Sequence, residues 1–107
     1  MDLSVEIYQL TRTFPRDEAF GLTNQLRRSA VSIPSNIAEG QGRSGSREFQ
    51  HFLSIARGSL CELQTQLEIA QRTGLGSSER IDHAIELSHE VGRILFGLLR
   101  SIKAKQS

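Results

Sequence analysis

The sequence predicts an all-α chain folded as an antiparallel, up-down-up-down four-helix bundle. Three observations carry that expectation. Leucine, isoleucine, alanine, glutamate, glutamine and arginine dominate, with two prolines and no tryptophan, which is helix-forming composition. Apolar residues recur at spacings of three and four in four separate segments. The breaks between those segments are short and carry proline, glycine or serine, so consecutive helices should be antiparallel neighbours. Nothing reads as a strand. A chain of 107 residues is expected to form one domain over 1–107.

The first helix is expected over residues 2–14. Leu3, Ile7, Leu10 and Phe14 form a narrow seam, and Pro15 closes the element. The second should open at Asp17, where Asp17 and Glu18 suit the positive end of the helix dipole. It carries Leu22, Leu26, Ala30, Ile33 and Ile37 inward as far as Glu39, and Gly40 stops it. Pro34 lies inside that pattern. It has no N–H for the carbonyl of Ala30, its ring pushes that carbonyl away, and the cost is roughly 3 kcal/mol. Ile37 and Ala38 keep the register, so a structural kink at Pro34 and Asn36 is expected rather than a break. Ser29, Ser32, Ser35 or Asn36 would satisfy the freed carbonyl. Whether the bend also shapes a binding surface stays open.

The third helix should start with Ser46 as N-cap and Glu48 in its first turn. Its seam is Phe49, Phe52, Leu53, Ala56, Leu60, Leu63, Leu67 and Ala70. Gly74 is expected just beyond its end, with Leu75 making the hydrophobic contact that accompanies such caps. Ser77 or Ser78 should cap the fourth helix, which carries Ile81, Ile85, Val91, Leu95, Leu98, Leu99 and Ile102 inward. The fourth helix also places Leu87, Ile94 and Phe96 off its seam. At about 100° per residue its apolar face is roughly 200° wide. Ile55 and Ile69 are off-seam on the third helix. A second buried face, and hence a homo-oligomer, is the expectation; the alternative is ordinary scattered exposure. Gly58, mid-helix beside Arg57, would permit close helix approach or line the same contact. The candidate interface residues are therefore Ile55, Arg57, Gly58, Ile69, Leu87 and Ile94.

Net charge is +1, and eleven of the thirteen basic residues are arginine. Between Arg27 and Arg57 five arginines face only Glu39 and Glu48, and Arg100, Lys103 and Lys105 follow near the C-terminus. The segment GQGRSG (40–45) matches GxGxxG to the letter. A helix precedes it where a dinucleotide fold needs a strand, so that site is excluded. What remains is a loop feeding a helix N-terminus, flanked by Arg43 and Arg47, where an anion is favoured. Glu48–His51 and Glu86–His89 resemble the paired ligands of bundle metal centres. They stand on the order of 25 Å apart along antiparallel helices, and the second pair is on a wet face, so no metal is expected. No Ser/His/Asp set is arguable from spacing, His83 is on a charged face, and neither an enzyme nor a cofactor is expected. The lone Cys61 excludes an internal disulfide and fits a reducing, cytoplasmic setting and a packing role. No secretion signal and no membrane-length apolar run are read.

The stretch RRSAVSIPSNIAEGQGR (27–43), followed by EFQHFLSIARGSLCELQTQLEIA (48–70), resembles the small bacterial four-helix-bundle family encoded by intervening sequences in 23S ribosomal RNA genes. That family is also similar to the accessory protein of diversity-generating retroelements. The matching positions are Arg27, Arg28, Pro34, Asn36, Glu39, Gly40, Arg43, Glu48, Arg57, Gly58 and Glu62, none of them catalytic. The resemblance implies an antiparallel bundle and a ring-shaped homopentamer. It also implies association with nucleic acid through a basic surface, as in the retroelement relative, which binds a reverse transcriptase as well. Members usually carry a further turn or two before Leu3, so either a short first helix or a start that belongs further upstream is expected here. Two functions follow as expectations. Arg27, Arg28, Arg43 and Arg47, repeated around a ring, would bind the phosphate backbone of RNA or DNA. Alternatively the protein is a scaffold for a partner protein. Clustered arginines would favour the first, arginines among acidic neighbours the second.

Overall fold

The computed structural model describes the backbone of residues 1–18 and 21–106 and the side chains of 1–18 and 21–104. The Lys105 side chain therefore lies outside the described residues. Four α-helices account for the fold: α1 (Asp2–Thr11), α2 (Leu22–Gln41), α3 (Ser46–Arg72) and α4 (Ser78–Gln106). No strand occurs among the described residues. The cross-helix pairings fix the directions. Ser29 meets Gln66 and Ser32 meets Ser59, so α2 and α3 are antiparallel. Gln64 meets Ser88 and Gln71 meets Asp82, so α3 and α4 are antiparallel. Arg27 reaches Thr11 while Ala30 meets Ser4, so α1 and α2 are antiparallel too. This is the up-down-up-down bundle read from the sequence. Leu3, Ile7, Leu10, Leu26, Leu53, Leu63, Leu67, Ile81 and Leu95 fill its centre.

Several boundaries move. The first helix ends at Thr11 rather than Phe14. The Thr11 hydroxyl donates back to the Ile7 carbonyl at 2.8 Å and that of Thr13 to Leu10 at 2.6 Å, and these side-chain bonds compete with helix continuation. Phe14 still turns inward, against the backbone of Gly76. Asp17 and Glu18 form a separate 3-10 turn, Arg16–Glu18, and α2 opens only at Leu22. Gly40 does not stop α2. It is buried as the penultimate residue of the helix, and a Cβ there would stand 2.8 Å from Phe49 and 2.9 Å from Phe52. Its missing side chain lets the start of α3 close on the end of α2. Ser46 is the first residue of α3 and not its cap; extended Gly45 holds that position with no side-chain hydrogen bond.

The other end of α3 follows expectation. Gly74 has φ of 72°, Gly74 N–H donates to Gln71 and Leu75 N–H to Ala70, the paired bonds of a Schellman cap. The Ser77 hydroxyl accepts the Arg80 N–H at 3.4 Å and so caps α4. Two further residues of the α4 seam, Ala84 and Ser88, are fully buried and were not expected. Ser88 is admitted because its hydroxyl donates to the Ile85 carbonyl and accepts from Gln64. Leu87 is corrected from outer face to core flank, since α1 shelters it and it packs on the core cluster. Cys61 is corrected from packed to exposed, on the α3 flank beside α4.

α2 runs through Pro34 as one helix. The carbonyl freed by the proline is met from another helix: the Ser4 hydroxyl of α1 donates to the Ala30 carbonyl at 2.7 Å. None of the four local candidates does this. Asn36 serves a different carbonyl, donating to Ser32 at 2.8 Å. Ser4→Ala should therefore cost about 1 kcal/mol by orphaning that carbonyl, a fall of about 4–8 °C in Tm at this chain length. Pro34→Ala returns the Ala30 carbonyl to a helical N–H. In that background the cost of Ser4→Ala should shrink to a few tenths of a kcal/mol, measured by denaturant melts of the four-protein cycle. Additive costs would show that Ser4 is not the partner.

Candidate functional site

The four arginines singled out in the sequence fall into two pairs, about 22 Å apart along α2 at ~1.5 Å per residue. Arg27 is half-buried. Its Nε donates to the Thr11 hydroxyl at 2.9 Å and its guanidinium lies 4.8 Å over the Tyr8 ring. It therefore ties α1 to α2. Arg28, one residue on, is exposed and forms no ion pair among the described residues. At the far end Arg43 is exposed but engaged. It donates to Glu39 at 2.5 Å, approaches Glu48 at 4.0 Å, and lies 5.2 Å over the Phe52 ring. Those contacts clamp the loop between α2 and α3 and spend the charge that an incoming phosphate would need. Arg47, in the first turn of α3, is exposed and forms no ion pair among the described residues. Of these four arginines, Arg28 and Arg47 are thus free, one on either side of the middle of α2.

The outer faces also carry exposed apolar side chains. On α3 the core seam is Leu53, Ala56, Leu60, Leu63, Leu67 and Ala70. A second seam runs two residues out of phase, at Ile55, Gly58, Glu62, Thr65 and Ile69, with the same alternation of three and four. All five are exposed, and a Cβ on Gly58 would meet nothing within 4 Å. Gly58 thus does not serve close approach inside the bundle. On α4, Ile94 and Phe96 are each 61% exposed. Phe96 borders a groove with Arg57, Leu60 and Gly92, and the Arg100 guanidinium stands 5.7 Å over its ring. Ile94 borders another with Leu3, Leu87 and Val91.

A third face was missed in the sequence. Val5 and Tyr8 on α1 and Val31 on α2 are exposed, and Tyr8, Arg27, Arg28 and Val31 line one groove. The signal was available: Met1, Val5 and Tyr8 repeat at four and three outside the first seam. Between α2 and α3 lies a polar groove of about 390 Å³, lined by Gln25, Arg28, Ser32, Ser59, Glu62 and Gln66. Its floor is the Ser29–Gln66 and Ser32–Ser59 hydrogen bonds.

Side chains that carry chemistry stand apart. Glu48, His51, Glu86 and His89 are all exposed. No group of three or more His, Cys, Asp or Glu among the described residues is placed to hold a metal ion. No helix of the described residues is long and apolar enough to cross a membrane.

An all-α four-helix bundle with amphipathic outer faces and dispersed ionisable groups is the class of protein this geometry defines. The chain belongs to the 23S rRNA-intervening sequence protein family, whose model matches residues 1–97. Its fold is similar to the crystal structure of a protein of unknown function from the S23 ribosomal protein family of Bacteroides thetaiotaomicron VPI-5482. That likeness has a TM-score of 0.81 at 24% identity and covers 92% of each chain. No curated protein matches the chain.

Arg27 should behave as a structural residue and Arg47 as a surface one. Arg27→Ala loses a hydrogen bond and a stacked cation, and should cost about 1–2 kcal/mol in chemical denaturation. Arg47→Ala should stay within about 0.5 kcal/mol of the parent. Equal costs would overturn the assignment.

Proposed function

We propose that the protein is a non-enzymatic, self-associating helical scaffold. The outer seam of α3 is the observation that carries this reading. A helix with two apolar-bearing seams of the same 3.5-residue period on opposite faces is built to pack twice, once inside its own bundle and once outside it. Gly58 in the middle of the outer seam lets a second backbone come close. Glu62, the one charge in that seam, needs a cation opposite, and the exposed Arg57 of another copy is suited to supply it. Ile94 and Phe96 on α4 offer the complementary apolar face. Different faces meeting head to tail make a heterologous contact, which closes into a ring when the rotation permits; the sequence resemblance implies a ring of five.

Sedimentation velocity should give the parent protein a mass several times the 11.9 kDa of the chain. Ile55→Glu and Ile69→Glu should reduce it to the monomer with helicity by circular dichroism unchanged. Each substitution removes burial worth roughly 1.5–3 kcal/mol per contact. Gly58→Ala separates the two levels: it should raise helix stability in the monomer by up to about 1 kcal/mol and weaken assembly. A parent protein that sediments as a monomer at every concentration sinks the proposal.

A second reading is favoured by the free guanidinium groups of Arg28 and Arg47. Repeated around an assembly, they would bind RNA or DNA phosphates without sequence preference. Fluorescence anisotropy should then show affinity falling with salt, with a slope of about 0.9 per duplex phosphate engaged. Arg47→Glu should flatten that slope. Absence of binding at low salt would leave the scaffold reading alone.

A further inference from the structure

The groove between α1 and α2 is unlike the other outer faces in charge. Tyr8 and Val31 give it an exposed apolar lining, and Val5, also exposed, stands one turn before Tyr8 on α1. Arg27 and Arg28 line it from α2, and Arg12 stands one turn beyond Tyr8 on α1. No carboxylate answers them from its walls. The sequence of α2 holds no Asp or Glu from Leu22 to Ala38. On α1, Glu6 is turned away to Arg80 of α4 at 3.5 Å and is largely covered there. Asp2 borders the α1–α4 groove instead. Arg28 also borders the α2–α3 groove that contains Glu62 but forms no ion pair with it. Arg27 spends Nε on Thr11, and its terminal amino groups have no partner among the described residues.

An apolar strip flanked by unanswered cations fits one kind of ligand: a helix with aliphatic residues on one face and carboxylates along its edges. The length of the groove sets the size of that ligand. α1 has 10 residues, hence about 15 Å of wall. That accommodates roughly ten residues of helix. It is short for the 800 Å² per partner that a stable contact between two folded copies typically needs. Phosphate alone would leave Val5, Tyr8 and Val31 unused.

We infer that the α1–α2 groove docks a short acidic amphipathic helix carried by a partner protein. The inference rests on the scaffold reading and gives that scaffold its cargo; it uses a face separate from the outer seam of α3. The helix lies along the groove with its aliphatic residues on Val5, Tyr8 and Val31. Its carboxylates pair bidentately with Arg28 and reach Arg12 and Arg27.

The test is selection on the intact protein from a displayed library of amphipathic helices. The aliphatic seam is held constant and the edge positions vary among Glu, Gln and Lys. Edges enriched in Glu are expected. A selected peptide, labelled and titrated by anisotropy, should bind at least about tenfold more weakly to Val31→Asp and to Arg28→Glu, a loss of about 1.4 kcal/mol. Circular dichroism melts confirm that both variants stay folded. Enrichment of Gln or Lys edges, or no enrichment, overturns the proposal. So does displacement of the peptide by RNA together with insensitivity to Val31→Asp, which marks a phosphate surface. If Val31→Asp and Arg28→Glu dissolve the parent oligomer, a second copy occupies the groove and the proposal fails. If Ile55→Glu yields monomers that still select acidic helices, the groove stands apart from the assembly. A monomeric parent that selects them overturns the scaffold reading alone.

Discussion

The bundle depends on a carbonyl that its own helix cannot satisfy. Pro34 removes the donor that would have met Ala30, in the middle of a 20-residue helix at the centre of the molecule. Orphaned in an apolar setting, such a group would cost more than a single hydrogen bond returns. Ser4 resolves it at 2.7 Å from a different helix. The fix is local chemistry with a global result. A hydroxyl on α1 has one place to go on α2, so the lengthwise register of α1 is set there. Arg27 then fastens the same pair of helices one turn away, through Thr11 and the Tyr8 ring.

The remaining helices are registered by size and polarity as well as by apolar area. α2 and α3 meet through the short side chains of Ser29, Ser32 and Ser59, hydrogen-bonded to Gln66 and to one another, which lets the two backbones run close. Gly40 extends that closeness to the end, where Phe49 and Phe52 occupy the volume its missing Cβ leaves. Arg43 closes the loop above them through Glu39 and Glu48. Of the two arginines that read as a candidate anion site in the sequence, Arg43 is thus consumed by joining α2 to α3 and Arg47 is not. The amphipathic outer faces, by contrast, take no part in these internal contacts.

The sequence made the helices and their inward seams legible because both follow from periodicity over a few turns. The Schellman cap at Gly74 and the Ser77 cap were legible for the same reason: they are local chemistry. Residues whose roles depend on a distant segment were not. Ser4 and Ala30 are 26 positions apart, and no spacing rule pairs them. Gly40 read as a stop because the phenylalanines that need its emptiness lie on the next helix. Arg27 and Arg28 are adjacent and look alike in sequence, yet one is a tie between helices and the other is free. Val5 and Tyr8 repeat outside the inward seam of the first helix, and two residues are too few to stand out from ordinary surface exposure.

The 10 residues of α1 set it apart from its 20-, 27- and 29-residue companions. A helix that short has little intrinsic tendency to persist in water and owes its order to docking. It is therefore the unit whose opening costs least, and amide exchange in it would run ahead of the other helices. One wall of the α1–α2 groove belongs to that labile unit. The groove exists only while α1 is seated, so whatever occupies it also steadies the helix, and loosening α1 empties the site. Occupancy and local order are one equilibrium at this face, hinged on a serine hydroxyl and a proline that gives up its place in the ladder.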